Sequence, residues 1–141
     1  MRSHLESQAK ATNWQSIRFL GFRNQSELPA FYALCDVFVL TSSFEPWGLV
    51  VNEVMNAAKP VIVSDQVGAA VDLIRDGENG YIFPVGSVTE LAAHLRQLLS
   101  NPDNAIRMGE RSLARIQNWS FAEDYVGLMD ALKRVTSVAK K

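Results

Sequence analysis

Phe44-Glu45-Pro46-Trp47-Gly48-Leu49-Val50-Val51-Asn52-Glu53-Val54-Met55-Asn56-Ala57 decides how this chain is read. The apolar run Asp36-Val37-Phe38-Val39-Leu40 precedes it and ends in Thr41-Ser42-Ser43. Pro46 and Gly48 punctuate a turn. From Leu49 to Ala58 no helix breaker intervenes, and apolar side chains recur at helical spacing. The order is therefore strand, loop, and a helix beginning near Gly48. That is half of a βαβ unit, and in such sheets ligands sit beyond the carboxyl ends of the strands. Free amides at a helix start hold anions, aided by the helix dipole. Gly48 offers close backbone approach because it has no side chain. Glu45 and Glu53 bracket the helix start, and ionised carboxylates only accept hydrogen bonds, which suits hydroxyl groups. Amides for phosphate and acceptors for hydroxyls together describe a nucleotide-sugar site.

Outward from this stretch, strands alternate with helices. Apolar runs near 17–20, 37–40, 61–63 and 80–83 read as strands, continuous enough to be covered on both faces. Ser26 is placed to cap a helix from Glu27 to Leu34 that tolerates Pro29 in its first turn, with Leu28, Phe31, Tyr32 and Leu34 turned to the sheet. Ala69–Arg75 reads as a short helix and Asp76–Gly80 as a turn. Ser87…Glu90 and Ser120…Glu123 fit capping boxes, and Asn101-Pro102 opens a further helix. Met1–Asn13 is polar, with a helical tail around Leu5–Lys10. The fold class expected is α/β: a Rossmann-like, three-layer parallel sheet of about four strands with flanking helices and a helical C-terminus. One domain is expected over 1–141, with an α/β core at 17–84 and C-terminal helices at 87–135.

The 141 residues suit one domain. Hydrophobic residues make up 48% and charged residues 21%, and the net charge of −1 gives no electrostatic footprint for nucleic acid. The single cysteine, Cys35, excludes an internal disulfide, fits a reducing, cytoplasmic setting and reads as buried and inert. No apolar run approaches the ~20 residues that span a membrane.

Glu45-x7-Glu53, with Pro46-Trp47-Gly48-Leu49 inside it, resembles the E-x7-E signature of retaining glycosyltransferases of family 4. The likeness runs from about Ile17 to Arg134. It includes Phe19-Leu20-Gly21-Phe22, Leu34 to Leu40, Lys59-Pro60-Val61, Asp76-Gly77-Glu78-Asn79-Gly80 and Trp119-Ser120-Phe121. The resemblance implies the donor-binding, C-terminal domain of a GT-B enzyme. Such an enzyme moves a sugar from a nucleoside diphosphate, UDP or GDP, to a saccharide or lipid acceptor without a cofactor or metal. It implies that Glu45 acts at the donor sugar or reacting centre. Glu53 would accept from the ribose hydroxyls, and the amides of Gly48, Leu49 and Val50 would hold the sugar and diphosphate. Gly21, Phe22 and Arg23 would lie where the family places the nucleobase.

From spacing alone, Glu53 reads as a solvated helix residue and Glu45 as a turn residue, and only the resemblance reverses both. Arg23 reads equally as a surface cation. Trp47 reads as a loop-packing aromatic, and His94 and His4 as surface residues outside any metal cluster. The chain departs from the family at Thr41 (often proline), Ala58 (often glycine), Ala69 (the second glycine after the third strand) and Val71-Asp72 (proline-glutamate).

The family's first domain, which binds the acceptor, and its Arg/Lys pair for the diphosphate have no counterpart here. A missing N-terminal acceptor domain is thus an expected partner, and the 141 residues alone are expected to be inactive. Peripheral membrane association of a parent enzyme and self-association through the apolar helix Phe121–Val135 complete these expectations. A nucleotide-sugar epimerase of related two-domain fold and a non-catalytic nucleotide-binding or receiver-like module are the alternatives. Asp36, at the amino end of its strand, is misplaced for a receiver's phosphoacceptor.

Overall fold

A computed structural model describes residues 2–12 and 16–138, so Met1 and Asn13, the ends of the polar N-terminal stretch, lie outside it. Seven helices and three strands follow in the order α1 (Arg2–Ala11), α2 (Leu28–Leu34), β1 (Phe38–Leu40), α3 (Leu49–Asn56), β2 (Val61–Ser64), α4 (Ala69–Leu73), β3 (Gly80–Phe83), α5 (Val88–Leu99), α6 (Pro102–Ile116) and α7 (Phe121–Val138). The sheet is parallel with order β1-β2-β3; Phe38 pairs with Val61 and Ile62 with Tyr81.

β2 is the central strand, and all four of its residues are buried. Alternation divides them. Val61 and Val63 join Val51, Val54, Met55, Ala70, Leu73 and Tyr32 on the α2–α3–α4 side. Ile62 joins Tyr81, Phe83, Leu98, Ala105 and Met108 on the α5–α6 side. These two cores make the expected three layers. Helix α6 serves both: Met108 packs in one core and Ile116 in the other.

Three strands form among the described residues, where about four were expected. Ile17–Leu20 carries the apolar pattern but pairs with nothing among the described residues, and its side chains are exposed. A strand exists only through a partner's hydrogen bonds, and the apolar pattern supplies none of them.

Several local expectations change in the same way. Glu27, not Ser26, precedes α2 and makes no side-chain cap, while Ser26 Oγ donates to Asn24 Oδ1. Leu34 points to solvent, at 81% exposure, while Tyr32 of the same helix is buried. Ser87 caps no amide of α5; its hydroxyl donates to Glu90. At α7, Glu123 accepts from the Ser120 amide at 2.9 Å and Ser120 Oγ accepts from the Ala122 amide at 3.2 Å, close to the expected box. Asn101 caps α6 through the Asn104 amide, as its Asn-Pro start suggests. His94 is not a simple surface residue: it stacks on Tyr81 at 4.3 Å. Among the residues whose side chains are described, helices α1 and α7 bury none, and Phe121, Tyr125, Leu128, Leu132 and Val135 of α7 are exposed. No helix among the described residues is long and apolar enough to cross a membrane.

Asn79, buried at 2% exposure, organises the α4–β3 turn. It accepts from the Arg75 amide and donates to the Leu73 carbonyl, and its own carbonyl accepts from Ser112 of α6. Every polar group of this buried network found here has a partner, which is the condition for such a network to stabilise.

Ala58, which ends the turn after α3, has φ of 55°, a left-handed conformation where the family often has glycine. Helix α6 lies directly against its carbonyl: a Cβ on Gly109 would stand 2.1 Å from Ala58 O. Two opposite outcomes follow in urea unfolding. Gly109→Ala lowers stability by about 1–3 kcal/mol because backbone atoms must move. Ala58→Gly raises it by about 0.5–1 kcal/mol, the relieved left-handed strain exceeding the added freedom of the unfolded chain. An unchanged midpoint in both variants would contradict this packing.

Candidate functional site

The site lies at the carboxyl edge of β1 and β2. The chain leaving β1 is fixed first by the buried Ser64, whose hydroxyl donates to the Ser42 carbonyl at 2.5 Å. Three backbone hydrogen bonds then join the two loops. Glu45 N donates to Gln66 O (3.0 Å), Gly68 N to Glu45 O (2.9 Å) and Ala69 N to Trp47 O (2.8 Å). This approach requires glycine at 68, since a Cβ there would lie 2.0 Å from the Pro46 carbonyl oxygen. Trp47 is anchored beside the join: Nε1 donates to Asn52 Oδ1 at 3.0 Å, and the ring packs on Trp119 at 6.1 Å. It is a loop-packing aromatic, as its position in the loop suggests.

Gly48 turns the chain into α3 with φ of 90° and ψ of 59°. A side chain here would be strained by conformation and crowded by Val67 Cγ1 at 3.0 Å and Glu45 Cγ at 3.3 Å. The first internal bond of the turn runs from Val51 N to Gly48 O at 2.8 Å. Among the described residues, the amides of Gly48, Leu49 and Val50 have no protein acceptor. They are the unpaired donors that every helix start presents. The Leu49 side chain beside them is exposed.

Glu45 lies against Gly48, half-buried, and its carboxylate has no hydrogen-bond partner among the described residues. Glu53, in the second turn of α3, faces α2. It borders a cavity of about 430 Å³ with Gln25, Leu28, Pro29, Tyr32, Asn56 and Ala57. Its Oε2 accepts from the Tyr32 hydroxyl at 2.7 Å. Burial, then the hydrogen bond and charge of Glu53, push the Tyr32 phenol from 10.0 up to about 12. Arg23 is drawn to α2, pairing with Glu27 at 3.4 Å and lying over the Phe31 ring, while Phe22 is almost fully exposed and Gly21 has φ of 72°. Cys35 is half-buried, with its thiol pushed up by desolvation, in keeping with an unreactive side chain. No group of three or more His, Cys, Asp or Glu that could hold a metal gathers among the described residues.

The sequence model of the family "Glycosyl transferases group 1" matches residues 1–115. The chain belongs to this family. A group 1 relative, the D-inositol 3-phosphate glycosyltransferase of Corynebacterium aurimucosum, is 33% identical over 106 residues, 75% of this chain and 25% of that protein. The glycogen synthase of Mycobacterium tuberculosis is 31% identical over 127 residues, 90% of this chain and 30% of that protein. Among solved structures, Anabaena HepE in complex with UDP-glucose superposes with a TM-score of 0.79 at 26% identity, covering 94% of this chain and 36% of that one. The C-terminal domain of the Francisella tularensis group 1 protein LpcC gives 0.76 at 28% identity, covering 83% and 60%. The chain spans about a quarter of the length of the first two curated relatives it matches.

Two features of this site are not legible in the sequence. One is the Tyr32–Glu53 hydrogen bond, although a buried tyrosine usually finds a partner for its hydroxyl. The other is the contact that forces glycine at 68. For Tyr32 the sign of the pH effect is fixed: its folded value lies above the unfolded one, so its contribution is complete below pH 10.0 and is lost as pH rises through about 12. Ultraviolet titration of the phenols should show a step near pH 12 that Tyr32→Phe removes. The loss of stability over that window should shrink in the same variant; a Tyr32 titrating at the ordinary value would contradict the contact.

Proposed function

We propose that this chain is the nucleotide-sugar donor-binding part of a retaining glycosyltransferase. The observation that carries the reading is the unaccepted amide run Gly48-Leu49-Val50 at the start of α3, set between Glu45 and Glu53. Those amides and the positive end of the helix dipole would bind the diphosphate of a UDP- or GDP-sugar. Glu53 would accept from the ribose hydroxyls. Glu45, with a free carboxylate beside Gly48, would act at the donor sugar. Gly21, Phe22 and Arg23 would flank the base. Structural neighbours solved with UDP-glucose and UDP support this class of donor. The acceptor, a saccharide or lipid, would be held by a further domain, in an enzyme that works in the cytoplasm without a metal. Asp36 precedes β1 at the opposite edge of the sheet, so nothing here favours a receiver module.

The test is titration of the chain with UDP and GDP, followed by NMR. The amides of Gly48, Leu49 and Val50 should shift, and Glu53→Ala should weaken binding by about 1.5–3 kcal/mol through loss of a charged acceptor. Joined to an acceptor-binding half, Glu45→Ala should depress turnover more than nucleotide affinity. Absence of shifts at those three amides with either nucleotide would overturn the donor-site reading.

A further inference from the structure

Glu53 belongs to a half-buried position on α3 and carries a long side chain with several rotamers. Left to itself it would spread over them, and ordering it would cost entropy on binding. One contact restrains it, the hydroxyl of Tyr32 at 2.7 Å from Oε2. Tyr32 is in turn held by packing. Only 7% exposed, it lies in the core cluster with Val51 and Val54, and its ring meets the Phe38 ring of β1 edge-on at 6.4 Å and 87°. A fixed strand therefore sets the ring, the ring sets the hydroxyl, and the hydroxyl sets one carboxylate oxygen. Because an ionised carboxylate cannot donate, the proton of this bond lies on Tyr32. The phenol keeps it well beyond neutral pH, since its value is pushed up to about 12. Oε2 is engaged, and Oε1 has no partner among the described residues.

We propose that Tyr32 is a positioning residue for nucleotide binding: it holds Glu53 so that Oε1 is presented, already oriented, to the hydroxyls of a ribose. This rests on the ribose role proposed above for Glu53. Tyr32 touches the nucleotide nowhere in this scheme and acts through the carboxylate. Preorganisation of this kind improves affinity by removing the cost of ordering rather than by adding a contact.

Tyr32→Phe keeps the ring and its packing and removes only the hydroxyl. The chain and its variants are titrated by NMR with UDP and with 2′,3′-dideoxy-UDP, which lacks the ribose hydroxyls; the guanosine pair is used if GDP is the tighter nucleotide. Tyr32→Phe should weaken the ribonucleotide about three- to tenfold, the scale of one lost hydrogen bond, and leave the dideoxy analogue unchanged. In a Glu53→Ala background the same change should have no further effect, since the two residues act as one unit. Equal weakening of both nucleotides would show a packing role and overturn the inference. So would wild-type affinity of Tyr32→Phe beside a weakened Glu53→Ala, which leaves the ribose reading standing. A Glu53→Ala that loses nothing against the ribonucleotide would remove the ribose reading and this inference together.

Discussion

Three hydrogen bonds between the backbones of residues 45–47 and 66–69 hold the carboxyl edge of this sheet together, and they exist because residue 68 has no side chain. Loops between parallel strands and helices expose polar backbone groups that must be satisfied somewhere. Here each loop satisfies the other, extending the β1–β2 pairing past the strand ends as an isolated bridge at Glu45 and Val67. The consequence passes directly to the site. With Pro46 and Trp47 fixed, Gly48 turns the chain into α3 in a left-handed conformation, and the first amides of the helix have no acceptor among the described residues. The Ser64–Ser42 contact and the Trp47–Asn52 and Trp47–Trp119 contacts brace the same loop from other directions.

The chemistry of the site is a division of labour between backbone and carboxylates. Amides at a helix start are neutral groups that bind anions without bringing a counter-charge. Two glutamates can therefore stand nearby. Glu45 lies against Gly48 with its carboxylate free, whereas Glu53 is turned toward α2 and engaged by Tyr32. The same residue type at two positions thus has two environments, one open and one restrained. That difference matches the roles proposed for them, with a reacting sugar beside Glu45 and a hydroxyl pair beside Glu53.

Support for this edge comes from below. The buried β2 strand shares its alternate residues between two cores, and α6 spans both, lying so close to the α3–β2 turn that Gly109 touches the Ala58 carbonyl. Ala58 holds a left-handed conformation that glycine would adopt more easily, so the turn is maintained by packing rather than by its own preference. The periphery differs: α1 and α7 bury none of their described side chains, and α7 exposes a row of apolar ones.

The sequence alone determined the alternation of strands and helices, the parallel sheet and the start of α3 at Gly48. Those features rest on local rules: continuous apolar runs, helical spacing, and glycine or proline at turns. The caps of α2 and α5 were misread, because a serine near a helix start has several partners within reach and the fold chooses among them. Ile17–Leu20 has the composition of a strand, yet composition cannot supply a neighbouring strand. Glycine at 68 was visible as a residue but not as a necessity, since the carbonyl that crowds it belongs to a loop 22 positions earlier (68 − 46). Tyr32 was read as one more apolar contact, and its hydroxyl found Glu53 across 21 residues of sequence. In each case the deciding group is distant along the chain and near in space, and only tertiary structure brings such pairs together.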